Sequence, residues 1–417
     1  MDNAAKIYPA ARRRNWSNLF RQSVTLTDDI DVPVLQSALN VTVKRFPSIA
    51  ARLRKGAFWY YLQQVESAPK ISEEHSYPLV FMDREEMRKC AFRVIAYENR
   101  IAVEYFHSLT DGNGALVFLK SLLAEYLEQK YPMAIPFENG VLDRRELPKE
   151  ELEDSFLKYA GNVPASRKDT NAWHMSGESQ KDGILNLTCF QIPVKPALEL
   201  AHKYNTTLTV FMSAVMMMAL LNLQDEKNPN TKRQKRIKLL IPVNLRNLFP
   251  SNTLRNFAMY TIPELDPRLG TYSFEEICKI IQHKMGTEFT SKHMSCVIAT
   301  NVNDERNPLV RLIPLPLKNA VMKAIFDSVG EKKSCLTLSN LGQVKIPEAM
   351  AQYVTRFDFI LGVQAAAPYN CGMLSYGETI YINFIRNIQD AELERHFYGV
   401  LREIGLPTVV ESNQNER

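Results

Sequence analysis

The sequence predicts an α/β protein of mixed sheets (α+β in character) organised as two lobes, and three observations carry that expectation. Its 417 residues exceed what one hydrophobic core usually supports. Strand-like and helical runs intermingle in both halves without the strict strand–helix–strand alternation of a purely parallel sheet. Residues 132–182 are rich in charge, Pro, Asn and Ser with little sustained period, which marks a long connection. The expected division is an N-terminal lobe, 1–182, ending in that connection, and a C-terminal lobe, 183–417. No clean repeat period relates the two, although both read as α/β sandwiches of related build.

The elements follow in order. "LFRQSVTL" at 19–26 reads as a strand, and a helix after Asp31 runs to about Phe46 with Pro33 in its first turn, where a missing N–H costs nothing. Short strands are expected near 51–54, 57–64, 91–97 and 100–106, and a helix over 113–129 closes the half. One helix is expected in the connection, around 147–160. The second half starts with a strand in "ILNLTCFQI", then helices near 194–204 and 206–223, and a strand into "LLIPVNLR". Helices near 273–294 and 316–328, strands near 334–339 and 353–363, the hairpin "CGMLSYGETIYINFI" and a last helix over 390–404 complete it.

Composition narrows the function. Hydrophobic residues make up 45% and charged residues 23%, ordinary usage that argues against long disorder. A net charge of +5 permits an anionic ligand without demanding nucleic acid, and no aromatic-spaced basic motif of the nucleic-acid-binding kinds occurs. The opening "MDNAAKIYPAARRRNW" has basic residues but no apolar run behind them, so a secretory signal is not indicated and a cytoplasmic location is expected. The apolar segment "LTVFMSAVMMMALLNL" is 16 residues, short of the roughly 20 that span a bilayer, so a buried helix rather than stable membrane insertion is expected. Cys90, Cys189, Cys278, Cys296, Cys335 and Cys371 are scattered with no C-x-x-C pair, which suggests reduced core thiols rather than a disulfide framework or a zinc site.

One stretch reads as a site: "IAVEYFHSLTDGNGALVFLKSLLAEYL" at 101–127. If the strand pleat continues one step past Phe106, His107 shares the inward face with Ile101, Val103 and Tyr105. A lone histidine is more often a satisfied core residue, but this strand-end position, with Asp111, Gly112 and Gly114 behind it, reverses that preference. His75, His174, His202, His283, His293 and His396 lack such a setting. Ser108 does not suggest a serine hydrolase, because neighbours on an extended chain face opposite ways and no G-x-S-x-G elbow exists. His107 with Asp111 makes no metal pair, since no third ligand cluster or H-E-x-x-H helix accompanies them. Asp111 invites a triad reading, yet four residues on and across a turn its carboxylate need not reach the imidazole, and a structural role fits better. Gly112 serves backbone geometry, by positive φ or by making room for the following helix. "TKRQKR" at 231–236, with Lys232, Arg233, Lys235 and Arg236, could attract phosphates or an acidic carrier protein, but most charge runs are solvated connections.

"HSLTDG" has the form His-x-x-x-Asp-Gly and resembles the active-site motif of the coenzyme A-dependent acyltransferase superfamily, which includes alcohol acetyltransferases, wax-ester synthases and peptide-synthetase condensation domains. "KRFPSIAARL" at 44–53, "IPVNLRNLFP" at 241–250, "NF" at 256–257 and "LSNLG" at 338–342 fall in the order of that superfamily, so the resemblance spans most of the chain. "PVNLRNLFPS" and the "SNLG" turn are most similar to the alcohol acetyltransferase branch. Condensation domains usually carry a second histidine where this chain has Phe106, and the plant Asp-Phe-Gly-Trp-Gly signature is missing; both count against those branches and leave the superfamily untouched.

The resemblance implies two chloramphenicol acetyltransferase-like lobes meeting at an active-site tunnel, with no bound cofactor and a coenzyme A thioester as co-substrate. It implies His107 as general base, matched to a task that needs a pKa near working pH. It further implies that Asp111 points away from substrate and pairs with an arginine, for which Arg246 is the match by motif order. Ser339 and Asn340 would line the tunnel near the thioester and could donate to an oxyanion, although a turn favoured by Asn and Gly explains them equally well. The expected activity is transfer from acyl-CoA, acetyl-CoA first, to an alcohol hydroxyl, directly in a ternary complex. The alternatives are a stand-alone condensation-type enzyme joining a carrier-bound acyl group to an amine, and a non-catalytic binding protein of the same fold. Expected partners are acyl-CoA and a small alcohol or amine acceptor, with a carrier protein in the second case.

Overall fold

The computed structural model describes every residue except 12–17, 164–169, 181–182, 307–309, 311, 326–332, 365–366 and 415–417. In the first half a short helix, α1 (Ile7–Ala11), precedes β1 (Leu19–Leu26). Next comes α2 (Val32–Arg45), capped by Asp31, whose carboxylate accepts the Val34 amide at 3.0 Å. β2 (Ala51–Lys55) and β3 (Tyr60–Gln64) form a separate two-stranded ribbon. β4 (Ser72–Glu73), α3 (Arg84–Lys89), β5 (Phe92–Tyr97), β6 (Arg100–Phe106) and α4 (Gly112–Lys130) complete the half. Leu35 and Leu39 of α2 and Phe118 and Leu122 of α4 bury against Phe20, Val24, Val103 and Tyr105 of the sheet in one core.

The second half contains α5 (Ser155–Tyr159), β7 (Asn186–Pro193), α6 (Val194–Lys203), α7 (Leu208–Lys227), β8 (Ile237–Asn244), β9 (Ala258–Thr261) and β10 (Glu264–Leu265). It continues through α8 (Phe274–Glu288), α9 (Ser291–Arg306), α10 (Leu315–Ile325), β11 (Leu336–Gln343), β12 (Val354–Leu361), β13 (Tyr369–Tyr376), β14 (Thr379–Arg386), α11 (Glu392–Glu403) and β15 (Val409–Ser412). One sheet runs β10-β8-β11-β13-β14-β7-β15, with β9 also on β8. Within it β11 lies parallel to β8 and β13, and the other pairings are antiparallel. Phe211 and Leu220 of α7, Ile281 of α8 and Phe397 of α11 pack on Leu338, Ile382 and Phe384 to make a second core.

The other sheet runs β12-β1-β6-β5-β4, so a strand of the second half completes the sheet of the first. β12 lies antiparallel along β1 from Phe20↔Leu361 to Leu26↔Val354 and contributes Phe357 and Phe359 to the first core. The expected boundary at 182 left this strand with the C-terminal lobe; local periodicity says that a segment is extended, not which sheet receives it. α10 crosses too: the Leu315 amide donates to Ala57 O at 2.9 Å, and Lys318 Nζ lies 3.5 Å from the Trp59 ring centroid.

Three expectations need correction. The helix around 147–160 is a 3₁₀ turn at Lys149–Leu152 followed by α5, broken by extended backbone at Glu153. The break turns Glu151 inward, where both its oxygens accept from the Arg45 guanidinium at 2.6 and 2.8 Å. The helix over 273–294 is two helices, because Phe289 leaves helical backbone to pack into a third cluster with Phe257 and Met294. The apolar helix α7 extends to 20 residues, long and apolar enough by composition to cross a membrane, and 72% of that apolar stretch is buried inside the protein.

Candidate active site

His107 stands one residue beyond β6. Its N–H donates to Asn18 O at 2.9 Å, which extends the β1–β6 ladder by one step. Phe20 accordingly meets both Tyr105 and His107, with centroids at 5.2 and 4.9 Å, so the imidazole lies on the inward face. The Tyr8 ring stacks on its other side at 4.5 Å and 16°. The side chain is half-buried.

Nδ1 of His107 lies 3.2 Å from Asn256 Oδ1. The Asn256 amide nitrogen donates to Asp2 Oδ2 at 3.4 Å, which sets the amide so that its oxygen faces the ring. An amide oxygen only accepts, so Nδ1 carries the proton and Nε2 keeps its lone pair. Burial lowers the imidazole pKa below its ordinary value, against the opposing pull of its own backbone carbonyl, the Asp111 charge and Asn256. The ring is therefore neutral at neutral pH, and no described residue is hydrogen-bonded to Nε2.

Asp111 is buried at the N-cap of α4, and its carboxylate is taken up by partners other than the imidazole. Its Oδ1 accepts the Gly114 amide at 3.0 Å, and its Oδ2 accepts Arg246 Nη1 at 2.7 Å and the Phe257 amide at 2.8 Å. Among the described residues it makes no hydrogen bond to His107, whose ring nitrogen meets Asn256 instead. Arg246 sits on the 3₁₀ turn Leu245–Asn247 that ends β8. Beyond Asp111 it donates to Asn244 Oδ1, to Thr253 O from two nitrogens and to Arg255 O at 2.7 Å. Thr110 Oγ1 adds a bond to Leu254 O at 2.6 Å. One ion pair thus fastens the motif to the loop 253–257, which presents Asn256 to the histidine.

Gly112 does not have positive φ, and a Cβ there would lie 2.7 Å from Leu341 Cδ2, so close approach is what it provides. Gly114 is tighter still, since a Cβ would meet Leu254 O at 2.4 Å. Leu341 belongs to the SNLG turn, so the two predicted segments meet here. Ser339 is buried on β11 opposite Gly372. Asn340 accepts the Gly342 amide at 2.8 Å, with Gly342 at φ +77°, which is the bond of a turn, and it donates to Thr209 Oγ1 of α7 at 2.9 Å. In the basic loop Lys232, Arg233 and Lys235 are exposed, whereas Arg236 pairs with Glu264 and Asp266. Among the described residues no cluster of three or more metal-ligating side chains occurs.

Sequence reasoning missed Asp2 and Tyr8 and gave Asn256 no role beyond its place in motif order. Nothing in the first ten residues has a periodicity or motif that marks them as part of a site. A cavity of about 720 Å³ also lies between the sheets, lined by Arg21, Ser23, Thr25, Arg356, Asp358 and Asn383 among others. It opens on the face of β1 opposite Phe20, so it is distinct from the surroundings of His107.

No family model matches the sequence, and no curated protein matches it. The architecture places it more firmly: its fold is that of the chloramphenicol acetyltransferase-like and condensation-domain proteins. TRI101 of F. graminearum, solved with coenzyme A and T-2 mycotoxin, is 11% identical over 95% of this chain and 96% of its own, with a TM-score of 0.63. The TRI3 trichothecene 15-O-acetyltransferase of Fusarium sporotrichioides is 11% identical over 96% and 93%, with a TM-score of 0.62. The first condensation domain of the CDA synthetase is 12% identical over 96% and 94%, with a TM-score of 0.60. At such identities the likeness is one of fold.

Proposed function

We propose that this protein is an acyltransferase that moves an acyl group from a coenzyme A thioester, acetyl-CoA first, to an alcohol hydroxyl. The observation that carries the reading is the imidazole of His107, with Nδ1 committed to Asn256 and no described residue hydrogen-bonded to Nε2. The acceptor O–H gives its proton to Nε2 as its oxygen attacks the thioester carbonyl. The tetrahedral oxyanion then collapses, the C–S bond breaks, and the coenzyme A thiolate takes the proton back from the imidazolium. No acyl-enzyme forms. Asp111 and Arg246 hold the loop that aims the ring, and the Ser339 hydroxyl is the oxyanion donor of this reading rather than the Asn340 amide, which is bonded to Thr209. The coenzyme A complex of TRI101 and the O-acetyltransferase TRI3 support the donor and the acceptor class.

A carrier-bound acyl group joined to an amine is the second reading, favoured by the equal likeness to a condensation domain. A cytoplasmic location is part of this proposal. The test is release of free thiol from acetyl-CoA across a panel of alcohols, beside an assay with acyl-loaded carrier protein. Thiol release with an alcohol is expected. Transfer only from the carrier would move the assignment to the second reading, and no transfer from either donor would leave a binding protein.

A further inference from the structure

Asp2 is buried to 1% exposure and is linked to the His107 ring through Asn256, although nothing in the proposed chemistry so far uses it. A carboxylate removed from water is costly unless partners compensate. Among the described residues, Oδ1 accepts the Ala5 amide at 2.8 Å, Oδ2 accepts Asn256 Nδ2, and Arg255 Nε stands 3.6 Å away. The segment carrying it is docked on the motif. Ser108 Oγ donates to Ala5 O at 2.8 Å, Asn18 Nδ2 to Tyr8 O at 2.9 Å, and the Tyr8 ring stacks on His107.

We infer that Asp2 is a positioning residue: acting through Asn256, it keeps the amide oxygen on His107 Nδ1 and so holds the tautomer whose Nε2 can accept a proton. The physical reason is the near-symmetry of a carboxamide. Turned by half a revolution, Asn256 would present its NH₂ to Nδ1 and favour the tautomer with hydrogen on Nε2, which is useless as a base. Burial raises the Asp2 pKa above the ordinary carboxylate value, against the pull of Arg255 and the Ala5 amide. While it is ionised, Asp2 opposes that orientation, which sets amide oxygen against carboxylate oxygen. The backbone carbonyl of His107 also favours a hydrogen on Nδ1, which makes the effect graded rather than absolute. Only the kinetic half of this inference rests on the acyl-transfer reading.

The decisive measurement is the ¹⁵N spectrum of histidine-labelled full-length protein, with His107 assigned by the signals lost in His107→Gln. In the wild type Nδ1 is expected to be pyrrole-like and Nε2 pyridine-like. Asp2→Ala should move both toward the average of the two tautomers. Adding Asn256→Asp should restore the Nδ1–H form, because a carboxylate presents oxygen whichever way it turns. An unchanged tautomer in Asp2→Ala overturns the inference. So does a change that Asn256→Asp fails to restore, since Asp2 would then merely anchor the segment. In acyl transfer Asp2→Ala should lower kcat about three- to tenfold, the worth of one hydrogen bond, with KM nearly unchanged. A protein inactive with every donor would sink the acyl-transfer reading while the spectra still decide this one.

Discussion

β1 passes between two polar sites of opposite character. Beside its first residues lies a half-buried imidazole among Tyr8 and Phe20, with the carboxylates of Asp2 and Asp111 both turned to other partners. On its other face Arg21 meets Glu74 and Glu104, and Arg356 holds Asp358 through two nitrogens at 2.8 and 2.9 Å and Glu411 at 2.7 Å. Arg356 and Asp358 stand two apart on β12, hence on one face. Among the described residues the first site leaves a lone pair unspent, whereas the second pairs cations with anions across the junction of the two sheets. Unspent basicity is what proton transfer needs, and matched charge is what holding two sheets together needs.

The largest expected effect breaks the first site. His107→Ala should lower kcat by roughly 10²–10⁴-fold, the usual worth of a positioned general base, with little change in melting temperature. Near wild-type turnover would remove His107 from the chemistry. In the wild type, burial disfavours the imidazolium, so the His107 ring stays neutral to lower pH than a free histidine. The acid limb of kcat/KM should accordingly fall below about 6.5, with activity lost as the pH drops through the lowered value. A limb above that value would mean that the Asp111 charge outweighs burial.

The next test concerns the seam that places Asn256. Asp111→Asn and Arg246→Ala should each cost on the order of 3–5 kcal/mol, because each leaves a buried charged partner uncompensated. The double variant should cost less than their sum. Strictly additive losses by chemical denaturation would deny the pair, and a fully stable but inactive Asp111→Asn would restore a triad role for the aspartate.

Arg356→Ala probes the charge-matched site. It strips Asp358 and Glu411 of their shared cation and uncovers the Tyr381 ring, over which the guanidinium lies at 4.8 Å. Both members of the Arg356–Asp358 pair keep some solvent contact, so the loss should be about 2 kcal/mol, below the cost of a fully buried pair. Turnover should be retained. A fall in kcat comparable to that of His107→Ala would place this cavity in the reaction path.

What was legible in the sequence follows from how local each signal is. β1, α2, β6 and α4 were readable because alternation, an Asp cap and a proline in a first turn act within a few residues. His107 was readable for the same reason, as a titratable group at the end of an inward-facing strand. Arg246 was reached by motif order, and its place 2.7 Å from Asp111 rests on a contact across 135 residues that no periodicity encodes. Asp2 lies 254 residues from Asn256, in a segment without pattern, so only the folded chain brings them together. The same holds for β12, whose extended conformation was plain while its partner strand was not.

The smallest expected effect lies in the basic loop, and the structure divides that loop into two kinds of residue. Arg236 is bound to Glu264 and Asp266, so replacing it reports on the fold rather than on a ligand. Gln234 is tied to Asn228 O at 3.0 Å and the Lys235 amide to Gln224 at 2.9 Å, which fixes the backbone and leaves Lys232, Arg233 and Lys235 exposed to solvent. Exposed cations separated from a ligand by water are screened within about 10 Å at 0.1 M salt. Replacing these three by Gln should therefore raise the KM for coenzyme A less than about threefold at low salt, and the difference should vanish at high salt. A tenfold rise that persists in salt would mean direct contact with the coenzyme A phosphates and would bring the loop into the donor site.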